Sequence, residues 1–564
     1  MEIVKAPTDP EKNRPYFYII KDKELFTGDD PDGRGVSFLY QSDGRLTSSA
    51  GFTGNVTDEN ILKLLETVDG FKKLVHSVGV TLEMDESQEC DFVFQMYGKK
   101  DLYHGGANLE SVQKADGSEK RIYLRDIHWT EDDDIPGQIR VYTPKPEQLA
   151  YLSVRLYLND GYEAPEQLEE KPVDTESAQY KSMIQNSLIQ KGNTYRMARL
   201  IERAKAGEDV TIAYIGGSIT QGAGAVPINT ECYAYKSFNQ IKKLLGNGDN
   251  IHYIKAGVGG TPSELGMVRF DRDVLRDGAV TPDLVIVEFA VNDEGDETKG
   301  DCYESLVRKI LKLPNEPAVI LLFSVFTDDY NLQDRLMPVG TRYDLPMVSI
   351  KNAVTPQFYD RDNRIVTKHQ FFYDMFHPTN LGHSIMADCI SYLFETVMQQ
   401  EKDESFEPDF ERTPAIGNTF DKVVLLDKRD NTNLGKINPG GFVYTDSVLQ
   451  SVEMDMDLNV TPEFPYNWMY DGAAGGENRF TLDISCKALV VIMKDSGEVD
   501  AATAKAYVDK EFVRDLDPYV NRWCHCNPLI LIKDTETKNH HVEIVVDEDD
   551  TRNKFTILGF GVVR

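Results

Sequence analysis

Three residues in this chain have the types and settings that acyl transfer needs. Ser218 closes the run VTIAYIGGS and is followed by ITQGAG, so it stands where an apolar segment gives way to glycine-rich chain. A serine hydroxyl attacks a carbonyl well only when a base removes its proton, and that base needs an orienting partner. The stretch FFYDMFHPTNLGH supplies both, because Asp374 and His377 stand three residues apart, ahead of a predicted helix. That spacing lets a carboxylate and an imidazole converge from one tight loop. The oxyanion that forms on attack also needs hydrogen-bond donors. Two further loops could provide them, AGVGGTPSE around Gly260 and EFAVNDE around Asn292.

The elements that must position these groups follow from hydrophobic patterning. Val210 to Ile215 is apolar and rich in β-branched residues, which predicts a buried central strand. In an open α/β sheet, ligands bind outside the carboxyl ends of the strands, where Ser218 falls. Helical spacing from Asn193 ends at Gly207. Beyond it the pattern predicts strands near 210–215, 252–256, 283–289 and 318–325, and helices near 231–245, 263–276, 301–312 and 379–399. Such alternation predicts a parallel sheet covered by helices on both faces.

Taken in order, GGSIT with Ser218, GVGGT with Gly260, AVND with Asn292 and DMFHP with Asp374 and His377 resemble the four blocks of the SGNH (GDSL-like) hydrolases, a family of esterases and lipases. Two departures stand out: the usual Gly-Asp-Ser reads Gly216-Gly217-Ser218, and the glycine before the Asn block is Ala290. Neither removes a catalytic group. The resemblance implies a flavodoxin-like three-layer domain. It implies Ser218 as nucleophile, His377 as general base and then acid, and Asp374 as the group orienting the imidazole. It also implies an oxyanion hole from the N–H groups of Ser218 and Gly260 and the Asn292 amide, with no metal or other cofactor.

The flanks read differently. Residues 1–175 show short alternating runs between turn signals (GVSFLYQ, CDFVFQMYG, KRIYLRDI, GQIRVYTP, LAYLSVRLYL) and one helical stretch near Asn60–Val75. This predicts an N-terminal β-sandwich. A polar linker, EAPEQLEEKPVDTESAQ, leads into a hydrolase domain over 176–403. After EKDESFEPDFERTP, the runs VEMDMDLNV, RFTLDISC, KALVVIMKD, LILIKD, HHVEIVV and FTILGFGVV predict a second β-sandwich over 404–564.

Composition bounds the function. At 564 residues the chain exceeds one ordinary domain. The formal charge of −32 opposes nucleic acid and anionic membrane surfaces as partners. No apolar stretch approaches the length of a membrane span. Seven cysteines scattered from Cys90 to Cys526 do not form a disulfide framework, and the N-terminus lacks a charged-then-apolar leader, so a cytoplasmic, bacterial setting is expected over a secreted one.

Other residues carry weaker signals. Cys524-His525-Cys526 and His540-His541 are poorly spaced for zinc, and strand alternation sends His525 to the face opposite the two cysteines. His383, in the helix after DMFHP, suits a local hydrogen bond. Trp468, within FPYNWMYDGAAGG, is a candidate either for stacking on a sugar ring or for packing against another domain. The β-flanked hydrolase resembles carbohydrate esterases, so acetylated plant-type poly- or oligosaccharides (xylan, mannan or similar) are the expected substrates. A lipase or aryl esterase acting on small lipophilic esters is the alternative within the class. A carbohydrate-binding protein with a vestigial hydrolase core is the alternative outside it.

Overall fold

A computed structural model describes residues 14–39, 46, 50–51, 54–56, 58–100, 105–167, 170–360, 363–429, 434–457, 459–496, 500–521, 523–550 and 553–564. They pack as two compact units, Met1–Glu176 with Gln357–Gly382, and Ser177–Pro356 with His383–Arg564.

Among the described residues, the first unit is built on the strands β1 (Tyr16–Phe26), β2 (Gly28–Asp29), β3 (Gly35–Leu39), β4 (Val75–Glu83), β5 (Glu89–Gly98), β6 (Asn108–Lys114), β7 (Asp116–Tyr123), β8 (Asp133–Thr143) and β9 (Leu149–Leu158). They form two antiparallel sheets, β1-β9-β4-β7 and β2-β3-β8-β5-β6. One apolar core takes Phe17, Val80 and Leu156 from the first sheet and Phe92, Leu109 and Val141 from the second. Alternation is cleanest in β6, where Leu109, Ser111 and Gln113 are buried between exposed neighbours. The single helix expected near Asn60–Val75 is two, Glu59–Leu64 and Val68–Leu74. The Thr67 side chain accepts the Gly70 N–H and so starts the second.

The second unit begins with the α/β sheet. Its strands are β10 (Leu188–Gln190), β11 (Val210–Gly216), β12 (Ile251–Gly257), β13 (Leu284–Glu288), β14 (Ala318–Phe323) and β15 (Met347–Ser349), in the order β10-β15-β14-β13-β11-β12. All pairings are parallel except that of β10 with β15. Every residue of β13 and β14 is buried, as a sheet covered on both faces requires. Helices lie at Tyr195–Lys205, Tyr233–Leu244, Ser263–Asp273, Asp301–Leu311 and Asn380–Gln399, close to the expected positions. Two more, Gln333–Arg342 and Ile350–Tyr359, contain Pro338 and Pro356. An internal proline masks a helical pattern because it normally breaks one.

The remaining strands are β16 (Val424–Leu426), β17 (Gly435–Asn438), β18 (Ser451–Val452), β19 (Thr461–Pro462), β20 (Trp468–Asp471), β21 (Arg479–Asp495), β22 (Ala504–Val508), β23 (Glu511–Leu516), β24 (His525–Val546) and β25 (Lys554–Val563). All but β18 and β19, which pair with each other, belong to one eight-stranded antiparallel sheet. Four predicted strands merge into two: RFTLDISC and KALVVIMKD are the single strand β21, and LILIKD and HHVEIVV belong to β24. Among the described residues of VEMDMDLNV, only Val452 lies in a strand, and Leu458 lies outside the described residues. Three residues past β18, Asp455 has φ +51° and accepts hydrogen bonds from the Lys255 N–H and the Arg276 guanidinium.

Residues 383–564 lie in the same compact unit as 177–356. The apolar core of this unit joins Ile215, Val268 and Val287 of the α/β region to Phe464, Val490, Ile492 and Val563 of the C-terminal region. Buried Glu463 accepts from Arg272, on the helix Ser263–Asp273, which ties the two regions by charge as well. Among the described residues, no helix is long and apolar enough to cross a membrane.

Candidate active site

Strand β11 delivers Ser218. It ends at Gly216, and Ser218 opens the short helix Ser218–Gln221 at the carboxyl end of the sheet. Arg269, fully buried, fixes that strand end by donating to the carbonyls of Gly216 and Ala256, each at 2.8 Å, while Asp273 balances its charge. This staple joins the tips of β11 and β12. Below the loop, the Thr220 and Tyr233 hydroxyls are 2.8 Å apart, and Thr220 also donates to Glu288. Burial pushes the Glu288 carboxyl up to about 7. His383 braces the chain after the nucleophile: its Nδ1 accepts the Tyr233 N–H at 3.1 Å, leaving Nε2–H to donate to the Ala223 carbonyl at 3.1 Å.

The departure at Gly217 has a steric cause. A Cβ built there would sit 2.2 Å from Asn292 Oδ1, so the Asn292 amide occupies the space a side chain would need. Asn292 is therefore held directly beside the nucleophile turn. The loop after β12 comes as close, since a Cβ on Gly259 would lie 3.7 Å from Ser218 Cβ. Gly259 N–H donates to Gln221 Oε1 at 3.0 Å. Gly260 has φ +69°, and a side chain on it would meet Trp523 and His525. In this second unit the structure thus brings Asn292 and the Gly259–Gly260 loop to the Ser218 turn.

Behind Asn292 lies a group of buried acids. Both Asp293 oxygens accept from Ser263, one from its N–H and one from its hydroxyl, each at 2.7 Å. Burial and the nearby Asp296 push Asp293 up to about 8. Burial with Asp296, Glu297 and Asp293 pushes Glu264 up to about 9. Glu264, Asp296 and Cys302 place one potential ligand atom each within 4.8 Å of one another. The Asp296 oxygens already accept from Gly300 N–H and from the N–H and hydroxyl of Thr298, and burial raises the Cys302 thiol well above its ordinary value. With Asp296 committed to protein donors, and burial opposing the charged forms of Glu264 and Cys302, the cluster is a poor set of charged metal ligands.

Asp374 and His377 belong to the first unit. Phe372 and Pro378 form a β-bridge that closes the loop between them, and Tyr373 N–H donates to the His377 carbonyl at 2.7 Å. Asp374 Oδ1 accepts the N–H groups of Phe376 and His377, and Oδ2 lies 2.8 Å from His377 Nδ1. Burial raises the Asp374 pKa, but His377 and the two N–H donors outweigh it and hold the carboxyl below its usual range. Lys23 of β1 places Nζ 3.8 Å from the centre of the Tyr373 ring, and burial, opposed by Asp374, lowers its pKa to about 8. The stretch read as a linker contributes as well: Glu170 accepts from Asn55, Thr367 and His369, the last two just ahead of the Asp374 loop.

An imidazole held through Nδ1 by a carboxylate offers Nε2 to take and return a proton, and a serine beside N–H and amide donors is arranged to attack an ester carbonyl. Trp468 does not join this set. It is 4% exposed on β20, with its ring 5.5 Å from Phe480 and 6.0 Å from Phe560, so it offers no face to a sugar. The aromatic ring at the glycine loop is Trp523, which is 45% exposed. Nothing local in NRWCHC distinguishes Trp523 from a loop tryptophan. Its place follows from the pairing of β24, which starts two residues later.

Residues 214–385 match the GDSL-like Lipase/Acylhydrolase family. The fold is similar to the crystal structure of a two-domain esterase (CEX) active on acetylated mannans, with a TM-score of 0.58 and 28% identity, covering 68% of this chain and 99% of that one. A structure of a two-domain esterase described in the same words, co-crystallised with mannopentaose, gives a TM-score of 0.56 and 28% identity over 68% of this chain and 98% of that one. No protein with a curated description matches the chain.

Proposed function

We propose that this chain, whose residues 214–385 match the GDSL-like lipase/acylhydrolase family, is a serine esterase that removes acetyl groups from plant-type polysaccharides or their oligosaccharides. The observation that carries the chemical reading is the Asp374–His377 pair at 2.8 Å, an imidazole with its tautomer fixed by a buried carboxylate. In the proposed reaction His377 Nε2 takes the Ser218 hydroxyl proton as Oγ bonds to the acetyl carbon. The charge that develops on the carbonyl oxygen is met by the N–H groups of Ser218 and Gly260 and by the Asn292 amide. Collapse breaks the ester C–O bond, and His377 returns the proton to the sugar oxygen. Water, deprotonated by the same imidazole, then releases acetate and restores Ser218. None of these steps calls on a cofactor.

The 2-1-3-4-5 order of the five parallel strands (β12-β11-β13-β14-β15) supports a flavodoxin-like layered domain for this chemistry. Similarity to an esterase active on acetylated mannans supports the substrate class. Acetate release from a panel of acetylated mannan, xylan and pectin fragments, set against long-chain esters, tests the proposal. Preference for the long-chain esters would replace it with a lipase reading.

Two expected results are specific to this geometry. Gly217→Ala should push the Asn292 amide out of place and lower kcat on nitrophenyl acetate by about tenfold to a hundredfold, with KM little changed. An unchanged kcat would mean that Asn292 is not an oxyanion donor. Trp523→Ala should impair turnover of acetylated oligosaccharides while sparing nitrophenyl acetate, because a minimal ester makes contacts only at the reacting centre. Trp468→Ala should instead remove a core ring, cost about 3–5 kcal/mol of stability and affect both substrates alike. Thermal melts and paired kinetics separate the two tryptophans.

A further inference from the structure

The Gly259–Gly260 loop is held from the C-terminal β region by side chains that touch no reacting atom. Gln450 Nε2 donates to the Gly259 carbonyl at 2.8 Å, and His525 Nε2 lies 2.9 Å from the Gly260 carbonyl. The Gly259 carbonyl and the Gly260 N–H belong to one planar trans peptide, so they point in opposite directions. Holding the carbonyl therefore sets the aim of the N–H. The neighbouring peptide is set in the same way by His525. The Gly259 N–H is already committed to Gln221, whose amide in turn donates to Glu453 at 2.7 Å.

The two anchors are themselves fixed. Gln450 Oε1 accepts the Cys526 N–H at 2.9 Å, and its backbone carbonyl accepts the Glu463 N–H at 2.8 Å. His525 Nδ1 lies 3.3 Å from Asn521 Nδ2, and Asn521 donates to buried Asp495 at 2.7 Å. An amide nitrogen can only donate, so Nδ1 accepts and Nε2 carries the hydrogen given to Gly260. Burial lowers the His525 pKa, opposed by the Gly260 bond, and so disfavours the charged ring.

We infer that Gln450 and His525 are positioning residues, supplied by the C-terminal β region, that aim the Gly260 N–H at the ester carbonyl oxygen. The inference rests on the esterase reading above. It makes the C-terminal region part of the catalytic apparatus rather than an appended module.

The test uses full-length Gln450→Leu, His525→Leu and His525→Gln, compared with wild type for kcat and KM on nitrophenyl acetate, thermal midpoint, and deuterium exchange of the peptide covering 257–262. The expected result for each leucine variant is a kcat lowered about tenfold or more, as for a misplaced oxyanion donor, with KM within about twofold and faster exchange of that peptide. His525→Gln, which keeps an N–H donor, should recover most of the lost rate. A wild-type kcat in both folded leucine variants overturns the inference. So does equal damage in His525→Gln and His525→Leu, or a loss that appears only as a lower melting point and a higher KM. If wild type hydrolyses no ester, the esterase reading fails and the catalytic role fails with it. Exchange then decides the clamp alone: faster exchange in Gln450→Leu upholds it, and unchanged exchange removes it.

Discussion

Ser218→Ala should give a folded protein that binds acetylated oligosaccharides and does not turn them over. Loss of a nucleophile of this type lowers the rate on the order of 10⁴–10⁶-fold. The substitution removes one oxygen from a residue that opens a four-residue helix, and the supports of that helix lie elsewhere. Arg269 pins the strand end, and His383 holds the following chain through Tyr233 and Ala223. Melting temperature and circular dichroism should therefore match wild type within error. A double variant, Ser218→Ala with His377→Ala, should be hardly slower than Ser218→Ala, because groups that act as a unit are lost as a unit. Ordinary esterase rates in folded Ser218→Ala would end the serine mechanism. Additive losses in the double variant would show His377 acting on some other step.

What the sequence reveals is what local pattern records. Buried parallel strands are continuous apolar runs, so β11 to β14 are found within about two residues of their expected positions. Asp374 and His377 sit in one short loop, and their hydrogen bond follows from spacing alone. The misreadings have physical causes too. Pro338 and Pro356 hide two helices, and the polar run DTETKN hides that β24 is continuous, since its side chains face solvent and interrupt the alternation. Past the end of β18, Asp455 turns to meet Lys255 and Arg276, partners that lie about 200 residues away in the chain.

The groups around the glycine loop were the least legible for the same reason. Gln450 and His525 meet Gly259 and Gly260 only through tertiary packing, at sequence separations of 191 and 265 residues. Trp468 and Trp523 show how little local composition decides. The first sits in an aromatic, glycine-punctuated stretch that suggests a binding loop, yet Phe480 and Phe560 enclose it. The second, in a plain loop, lies against Gly260.

His377→Ala should be nearly as damaging as loss of the serine, on the order of 10³–10⁶-fold, because in the proposed reaction the imidazole both takes the proton and returns it. Asp374→Asn should cost less in rate, and its failure should take a different form. In wild type, Asp374 Oδ1 accepts two backbone N–H groups, and Oδ2 fixes His377 Nδ1 as the protonated nitrogen. An asparagine can keep the backbone bonds through its one oxygen, but it then turns an N–H donor toward Nδ1 and favours the tautomer with the proton on Nε2. The imidazole keeps its position and loses its basic lone pair on Nε2, so kcat should fall with KM little altered. Stability gives an independent readout. The Asp374 pKa is held below its unfolded value, so the ionised carboxylate stabilises the fold above about pH 4, and that contribution is lost as pH falls through the lowered folded pKa. The stability gap between wild type and Asp374→Asn should therefore be widest near neutral pH and close on acidification. A gap that widened on acidification would mean that Asp374 is not ionised in the native loop, and with that the orienting role would fall.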